Sequence, residues 1–326
     1  MKIAFYAMRE FDELPMCEQF AKEYGIDFVW TPEPPTKENL GLAKDCIAIS
    51  CTPCFMPEEY VEILHDYGVK YLHCRSIGYD HLPMTKIKEL GMRVSNSTYP
   101  TECVANYAIM LILMTTRKYK ETMDRAAIQD YSLRGKMGRE IGELTIGVLG
   151  TGHIGRTLIR HLQPFGCRLL AYDRFENEEV KQIATYADLD TVLRESDVIT
   201  LHMPSNNETF HMIDEQAIEK MKDGVIIVNT ARGSLIDSRA LIKNLKNGKV
   251  GEAALDVIED ETGLYYYDHC GRKFDNDELA LLKSFPNVTV TPHMAFYVES
   301  TVANMVRKSF LSVKYFEEGV ENPFEV

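Results

Sequence analysis

The sequence predicts an α/β protein in which a doubly wound parallel sheet is joined to a second, smaller α/β domain. Short apolar runs that end in turn or polar residues alternate with longer helix-like segments along the whole chain, the pattern of parallel sheets. At 326 residues the chain exceeds the roughly 100 to 200 usual for one domain. Near its middle, a glycine triplet stands between an apolar run and the start of a helical pattern.

The runs at 2–6, 47–50, 71–74 and 93–95, with helical candidates such as 58–67 between them, predict a small α/β domain over residues 1–99. A long apolar-rich helix is predicted from 104 to about 125, carrying Tyr107, Ala108, Leu111 and Ile112. Its apolar excess predicts burial between domains or against another subunit. The runs at 145–150, 168–173, 198–202, 225–230, 252–256 and 288–293 suffice for a complete doubly wound sheet over residues 100–297. A last helix, 300–317, has Val302, Met305, Val306, Phe310 and Val313 at apolar positions. It is expected to return to the first domain, which then comprises 1–99 with 298–326.

With 45% hydrophobic and 26% charged residues the composition is that of a soluble globular chain, not a disordered or membrane one. The longest apolar stretch, 108–114, is far shorter than the ~20 residues of a membrane span. The first residues lack the charged start, apolar middle and cleavage site of a secretory signal, so a cytoplasmic protein is expected. Acids outnumber bases 49 to 36, and the net charge of -13 argues against nucleic acid or membrane as partner. An anionic substrate therefore needs locally placed cations. The eight cysteines, at 17, 46, 51, 54, 74, 103, 167 and 270, are scattered as reduced thiols are. Cys51 and Cys54 are the only close pair; the spacing has a thiol-redox reading and a structural one. No second pair completes a metal site. Asp268, His269 and Cys270 are adjacent, and adjacent side chains rarely converge on one ion, so no metal is expected.

Gly150, Gly152 and Gly155 follow the spacing G-x-G-x-x-G after an apolar strand, and the helical pattern continues through Leu158, Ile159 and Leu162. Gly150 permits the tight turn, Gly152 lets a pyrophosphate approach the backbone, and Gly155 lets the helix pack on the strand while its N-terminus faces the phosphates. Between them, His153 reads as a solvent-facing spacer and Ile154 as its neighbour in the same cofactor loop. The next strand ends in Asp173, 18 residues after Gly155, near the spacing of a carboxylate that accepts from adenosine ribose hydroxyls. Asp173 thus favours NAD over NADP, with adjacent Arg174 softening the preference. The competing reading is a glycine-rich turn followed by a surface acid. The sheet predicted here is of Rossmann type.

Arg232, Glu261 and His293 fall at or just after strand ends, where open α/β sheets place ligands. Singly they read as a surface cation, a solvated loop acid and a capping or core histidine. Taken with the glycine motif, in order from Arg75 to Phe296, they resemble the D-2-hydroxyacid dehydrogenase family over nearly the whole chain. The resemblance implies that Arg232 holds a substrate carboxylate and polarises the carbonyl, that His293 is the acid/base, and that Glu261 hydrogen-bonds its imidazole. The chemistry needs these types. Hydride reaching a carbonyl carbon requires a proton for the developing alkoxide, a carboxylate favours the charged imidazole, and a planar guanidinium matches a carboxylate at two points.

The resemblance further implies cofactor contacts from His202, Met203 and Pro204, from Thr230 and Ala231, and from Asp256. For Asp256 a structural role at its strand end competes. It implies a flavodoxin-like first domain in which the backbone N–H groups of Ile77 and Gly78 receive the substrate carboxylate. Tyr99 and Phe296 are implied substrate contacts. The usual Tyr-Ser-Pro order is here Tyr99, Pro100, Thr101, so a packed hinge tyrosine competes at Tyr99. A closed site between two hinged domains and a homodimer through 101–125 are also implied.

Glycerate-type relatives follow the catalytic Glu with Pro and reach the His sooner. Here Glu261 and Thr262 precede a longer stretch with Tyr265, Tyr266 and Tyr267, which is similar to the D-lactate dehydrogenase branch. That implies reduction of pyruvate to D-lactate. The alternative is an enzyme for bulkier 2-hydroxyisocaproate or phenyllactate, with Phe55, Met56, Tyr99 and Tyr297 lining either pocket. A reading from another class is a non-catalytic NAD-sensing binding protein. Its marks, a broken Arg/Glu/His set or long interaction tails, are absent from the sequence.

Overall fold

The computed structural model describes residues 1–261, 263–272 and 276–326; Thr262, noted above in the Glu261 segment, lies outside the described residues. The chain divides into two compact units, Met1–Pro100 with Tyr297–Val326, and Thr101–Phe296.

The first unit is a five-stranded, all-parallel sheet of β1 (Lys2–Phe5), β2 (Asp27–Trp30), β3 (Ala48–Cys51), β4 (Tyr71–Cys74) and β5 (Arg93–Asn96), in the order β2-β1-β3-β4-β5. Alternation along β1 sends Ile3 and Phe5 to one core, with Phe20, Val306 and Phe310 of the helices Glu13–Tyr24 and Glu299–Glu318. Ala4 and Tyr6 face the other, with Val61, Leu64 and Ile87. Strand order reverses at β1 and β3, so the loops that leave them share the edge where open sheets take ligands. β2 was not among the predicted runs: it is an edge strand, and none of its residues is fully buried, so its apolar signal is weak.

The second unit holds seven parallel strands, β6 (Thr145–Leu149), β7 (Arg168–Tyr172), β8 (Thr185–Tyr186), β9 (Val198–Leu201), β10 (Val225–Asn229), β11 (Val250–Leu255) and β12 (Val288–Val290). Their order, β12-β11-β10-β9-β6-β7-β8, is the doubly wound one, reversing between β6 and β9. β8, two residues long, is too short to leave a sequence pattern.

The single helix predicted over 104–125 is two, Glu102–Thr116 and Tyr119–Ala127. Lys118 between them is left-handed, with φ +49°. The Thr115 hydroxyl donates back to the Leu111 and Ile112 carbonyls, both at 2.9 Å, a pattern that loosens a helix end. The first helix buries Ala105, Ala108, Leu111 and Ile112 in the core of the sheet, while the second buries nothing in the unit. Among the described residues no helix is long and apolar enough to cross a membrane. Asp268 and His269 serve their own turn, accepting from Cys270 N at 2.8 Å and meeting the Leu264 carbonyl at 2.9 Å.

Candidate active site

The glycine loop follows β6 at the point where strand order reverses. Gly150 has φ +96°, and a Cβ there would stand 2.7 Å from the His202 carbonyl. At Gly155 a Cβ would stand 2.0 Å from the Gly150 carbonyl oxygen, so only glycine allows the helix His153–Leu162 to start this close to the strand. Gly152 differs, since nothing lies within 4 Å of its missing Cβ. That open space, facing the unpaired first amides of a helix, is the shape a pyrophosphate needs. His153 is exposed and Ile154 half-buried.

Asp173, just past β7, accepts from the Thr151 backbone N at 2.6 Å and the Phe175 N at 3.1 Å, which fixes its carboxylate beside the glycine loop. Arg174 is ion-paired with Glu208. His202, just past β9, bonds the Thr200 hydroxyl at 2.9 Å, and burial pulls its pKa down to about 3, which keeps it neutral. Its Cβ stands 3.4 Å from the position of a Gly155 Cβ, so it packs on the glycine loop, with Met203 at Gly150. Pro204 is exposed beyond them.

Arg232 is carried by a short loop after β10. Asn229, fully buried, sets that loop: its Oδ1 accepts from Ala231 N at 3.0 Å and its Nδ2 donates to the Arg232 carbonyl at 2.8 Å. Thr230 is buried beside it. A Cβ on Gly233 would collide with the Ile258 carbonyl carbon at 1.9 Å, so the Arg232 loop lies directly on the segment that leads to Glu261. Sequence reasoning gave Asn229 and Gly233 no role, although both flank Arg232 in one short motif.

Glu261 and His293 meet. Glu261 Oε1 lies 2.7 Å from His293 Nδ1, and Oε2 accepts from Ile258 N at 3.1 Å, so both carboxylate oxygens are committed. With Nδ1 donating to the carboxylate, Nε2 is the outward ring nitrogen. His293 has φ +54°, unusual for a residue with a side chain. Asp256, fully buried at the end of β11, holds it there. Its Oδ1 accepts from the Thr291 hydroxyl at 2.5 Å and from Met294 N at 2.8 Å, its Oδ2 from Ala295 N at 2.9 Å, and its carbonyl from His293 N at 2.8 Å. Burial raises the Asp256 pKa against the pull of these donors. The Phe296 ring lies edge-on to His293 at 6.3 Å, and Tyr266 lies 6.0 Å from His293 and donates to its carbonyl at 3.1 Å.

In the first unit, Ile77 and Gly78 follow β4. Arg75, with none of its side chain exposed, anchors the loop's root: Nε donates to Glu13 Oε1 at 3.1 Å, Nη1 to the Ser50 hydroxyl at 3.0 Å and Nη2 to the Tyr6 carbonyl at 2.8 Å. Asn96 Nδ2 donates to the Ile77 carbonyl at 2.7 Å. Tyr99 is half-buried on the segment after β5.

Residues 109–295 match the model of the D-isomer specific 2-hydroxyacid dehydrogenase NAD-binding domain. The chain belongs to that family. It is an NAD-dependent oxidoreductase, and the glycine loop lies within the matched NAD-binding domain. The chain is 39% identical over 325 residues to an aromatic 2-oxoacid reductase of Clostridium sporogenes, covering 97% of this chain and 96% of that protein. It is 36% identical over 324 residues to a D-lactate dehydrogenase of Lactobacillus delbrueckii subsp. bulgaricus, covering 98% and 97%. Its structure matches that of a D-2-hydroxyisocaproate dehydrogenase with a TM-score of 0.89 at 34% identity, over 100% of this chain and 99% of the other.

Proposed function

We propose that this dehydrogenase reduces pyruvate to D-lactate, with His293 as the acid/base. The observation that carries the reading is the 2.7 Å pair between His293 Nδ1 and Glu261 Oε1, on a loop clamped by Asp256. Because Glu261 takes Nδ1, the imidazole delivers its proton from Nε2, and the carboxylate stabilises the imidazolium that must be present before transfer. When bound, NADH supplies the hydride. Arg232 grips the substrate carboxylate and draws electron density from the carbonyl. On the first unit, taken as the substrate domain, the amides of Ile77 and Gly78 are assigned to the substrate. Thr230, Ala231, Met203 and Pro204 are assigned to the cofactor, and Tyr99 and Phe296 to the substrate. Asp256 is a positioning residue in this account, since every acceptor it has serves the 291–295 loop.

A second reading, a bulkier aromatic 2-keto acid, is favoured by the rings beside His293: Tyr266 and Phe296 pack edge to face, their centroids 6.1 Å apart. The 39% identity to a protein named aromatic 2-oxoacid reductase supports it too. NADH oxidation with pyruvate, 2-ketoisocaproate and phenylpyruvate decides between them. The largest kcat/KM for pyruvate, with D product, supports the first reading, and a preference for phenylpyruvate replaces it. Absence of turnover despite NADH binding returns the sensor reading.

A homodimer belongs to the proposal. A groove of about 750 Å³ on the second unit is lined by Ile109, Met110, Leu113, Met114, Tyr119 and Phe165. Nearby in sequence, Ile128, Tyr131, Leu133 and Met137 are each more than three-quarters exposed. A second copy covers such surface. A monomeric mass at micromolar concentration in sedimentation contradicts this. A cytoplasmic location fits cysteines that are not joined in disulfides among the described residues.

A further inference from the structure

The close thiol pair has no part in the chemistry above, yet it sits at the ligand edge of the first sheet. Cys51 ends β3, where strand order reverses, and Cys54 follows in the loop. Both belong to one core with Cys74, which is the register partner of Cys51 across β3 and β4. Cys54 and the His81 imidazole are the groups that act on the Cys51 thiol, the first raising its pKa and the second lowering it. His81 Nε2 also lies 3.6 Å from Cys74 Sγ. From Cys74 the contacts run straight into the loop assigned to the substrate carboxylate: its Sγ meets the Ser76 hydroxyl at 3.0 Å and the Gly78 carbonyl at 3.6 Å. The Cys51 carbonyl in turn accepts from Arg75 N at 2.7 Å, at that loop's root. Among the described residues no three donors are arranged to hold a metal ion, so the chemistry this cluster offers is that of two thiols.

We propose that Cys51 and Cys54 form a redox-active dithiol whose oxidation to an intrachain disulfide shifts the Ser76 to Gly78 loop and weakens keto-acid binding. The effect on binding rests on the assignment of that loop to the substrate carboxylate.

The oxidant is a low-molecular-weight disulfide such as oxidised glutathione. Cys54, 9% exposed and next to the strongly exposed Phe55, is the less buried of the two and the one assigned the first attack, whereas Cys51 is fully buried. The Cys54 thiolate attacks the disulfide, forming a mixed disulfide and releasing one thiolate, which takes up a proton. Cys51 then gives its proton to His81 and attacks the Cys54 sulfur. The second glutathione leaves as thiolate and takes that proton. Two thiols are oxidised and one disulfide is reduced to two thiols. The Cys54 contact first and burial second hold the Cys51 pKa well above the ordinary thiol value, so the second step depends on His81. Once bonded to Cys54, Cys51 turns from His81, and the imidazole is free to shift against Cys74 and the loop beyond.

The test uses the full chain, reduced and then exposed to excess oxidised glutathione, with cysteine mapping by mass spectrometry, hydrogen exchange of residues 75–82, NADH titration and keto-acid kinetics. The expected result is a Cys51–Cys54 disulfide, faster exchange at 75–82, KM for the keto acid raised about tenfold with NADH affinity unchanged, and reversal by dithiothreitol. Cys54→Ser removes the response, and Cys270→Ser, at the exposed cysteine, keeps it. The proposal is overturned if no Cys51–Cys54 bond forms, if a bond to Cys74 forms instead, or if the bond forms and exchange at 75–82 stays the same. Mapping and exchange do not depend on turnover, so an enzyme inactive even when reduced refutes the functional reading alone. Faster exchange with an unchanged KM refutes the loop's assignment to the carboxylate.

Discussion

Two loops of the second unit carry the candidate chemistry, and they are held by opposite means. The glycine loop after β6 is shaped by missing atoms: Gly150 and Gly155 are required where a Cβ would strike backbone, and Gly152 leaves space open. The loop at 291–295 after β12 is shaped by what reaches it across the sheet, namely Asp256, which holds the side chain of Thr291 and the backbone of His293, Met294 and Ala295. A loop held by steric contacts, with the His202 carbonyl at Gly150 and the Gly150 carbonyl at Gly155, needs no hydrogen-bond partner to keep its shape. One held by a buried carboxylate depends on every hydrogen bond that compensates the burial.

Among the variants that set the two loops apart, the largest expected effect is at Gly155. Gly155→Ala places a methyl 2.0 Å from the Gly150 carbonyl oxygen, which backbone can relieve only by moving the helix off the strand. We expect NADH affinity to fall by more than about a hundredfold in fluorescence titration, with a lower Tm. Gly152→Ala is the counterpart, with no neighbour within 4 Å: Tm should stay within about 1 °C while NADH affinity falls about tenfold. If both variants lose Tm equally, the distinction between a steric and a ligand glycine is wrong.

Asp256→Ala comes next. Freed of its anchor, His293 is misplaced, and kcat should fall about a hundredfold while NADH affinity changes less than about threefold. An equal loss of NADH affinity would make Asp256 the cofactor-side carboxylate after all and leave the two loops less distinct.

The smallest effect separates two acids on one strand. Asp256 has donors for its burial, whereas Glu252 on β11 accepts no hydrogen bond among the described residues, and burial pushes its carboxyl up to about 7. The native state therefore holds a proton that the unfolded chain has lost. That contribution is full below about 4.5 and is lost as pH rises towards about 7, amounting to about 1 kcal/mol after allowance for solvent. Glu252→Gln should match the wild-type Tm at pH 5 and exceed it at pH 8 in calorimetry.

Legibility followed the same division. The glycine triplet, Asp173 and the strands β6, β9 and β10 are written in spacing and in continuous apolar runs, because each leaves a local pattern of residue types. Arg232, Glu261 and His293 were legible as a set only through resemblance; nothing in their separate neighbourhoods says that Glu261 meets His293. Gly233 and the clamp made by Asp256 were not legible, since their partners come from distant segments, whereas Asn229 went unread although its partners Ala231 and Arg232 lie in its own motif. The break at Lys118 went unseen because the apolar pattern of 104–116 runs on into Tyr119 and Met123, which are exposed in this chain.

His293 carries the proposed proton transfer. Wild type and His293→Ala should be compared in single-turnover reduction of the preferred keto acid, with NADH affinity and product chirality measured on the same samples. We predict a D product, a rate about a thousandfold lower in the variant, and unchanged NADH affinity. A variant that turns over at the wild-type rate, or a wild-type product of L configuration, contradicts it.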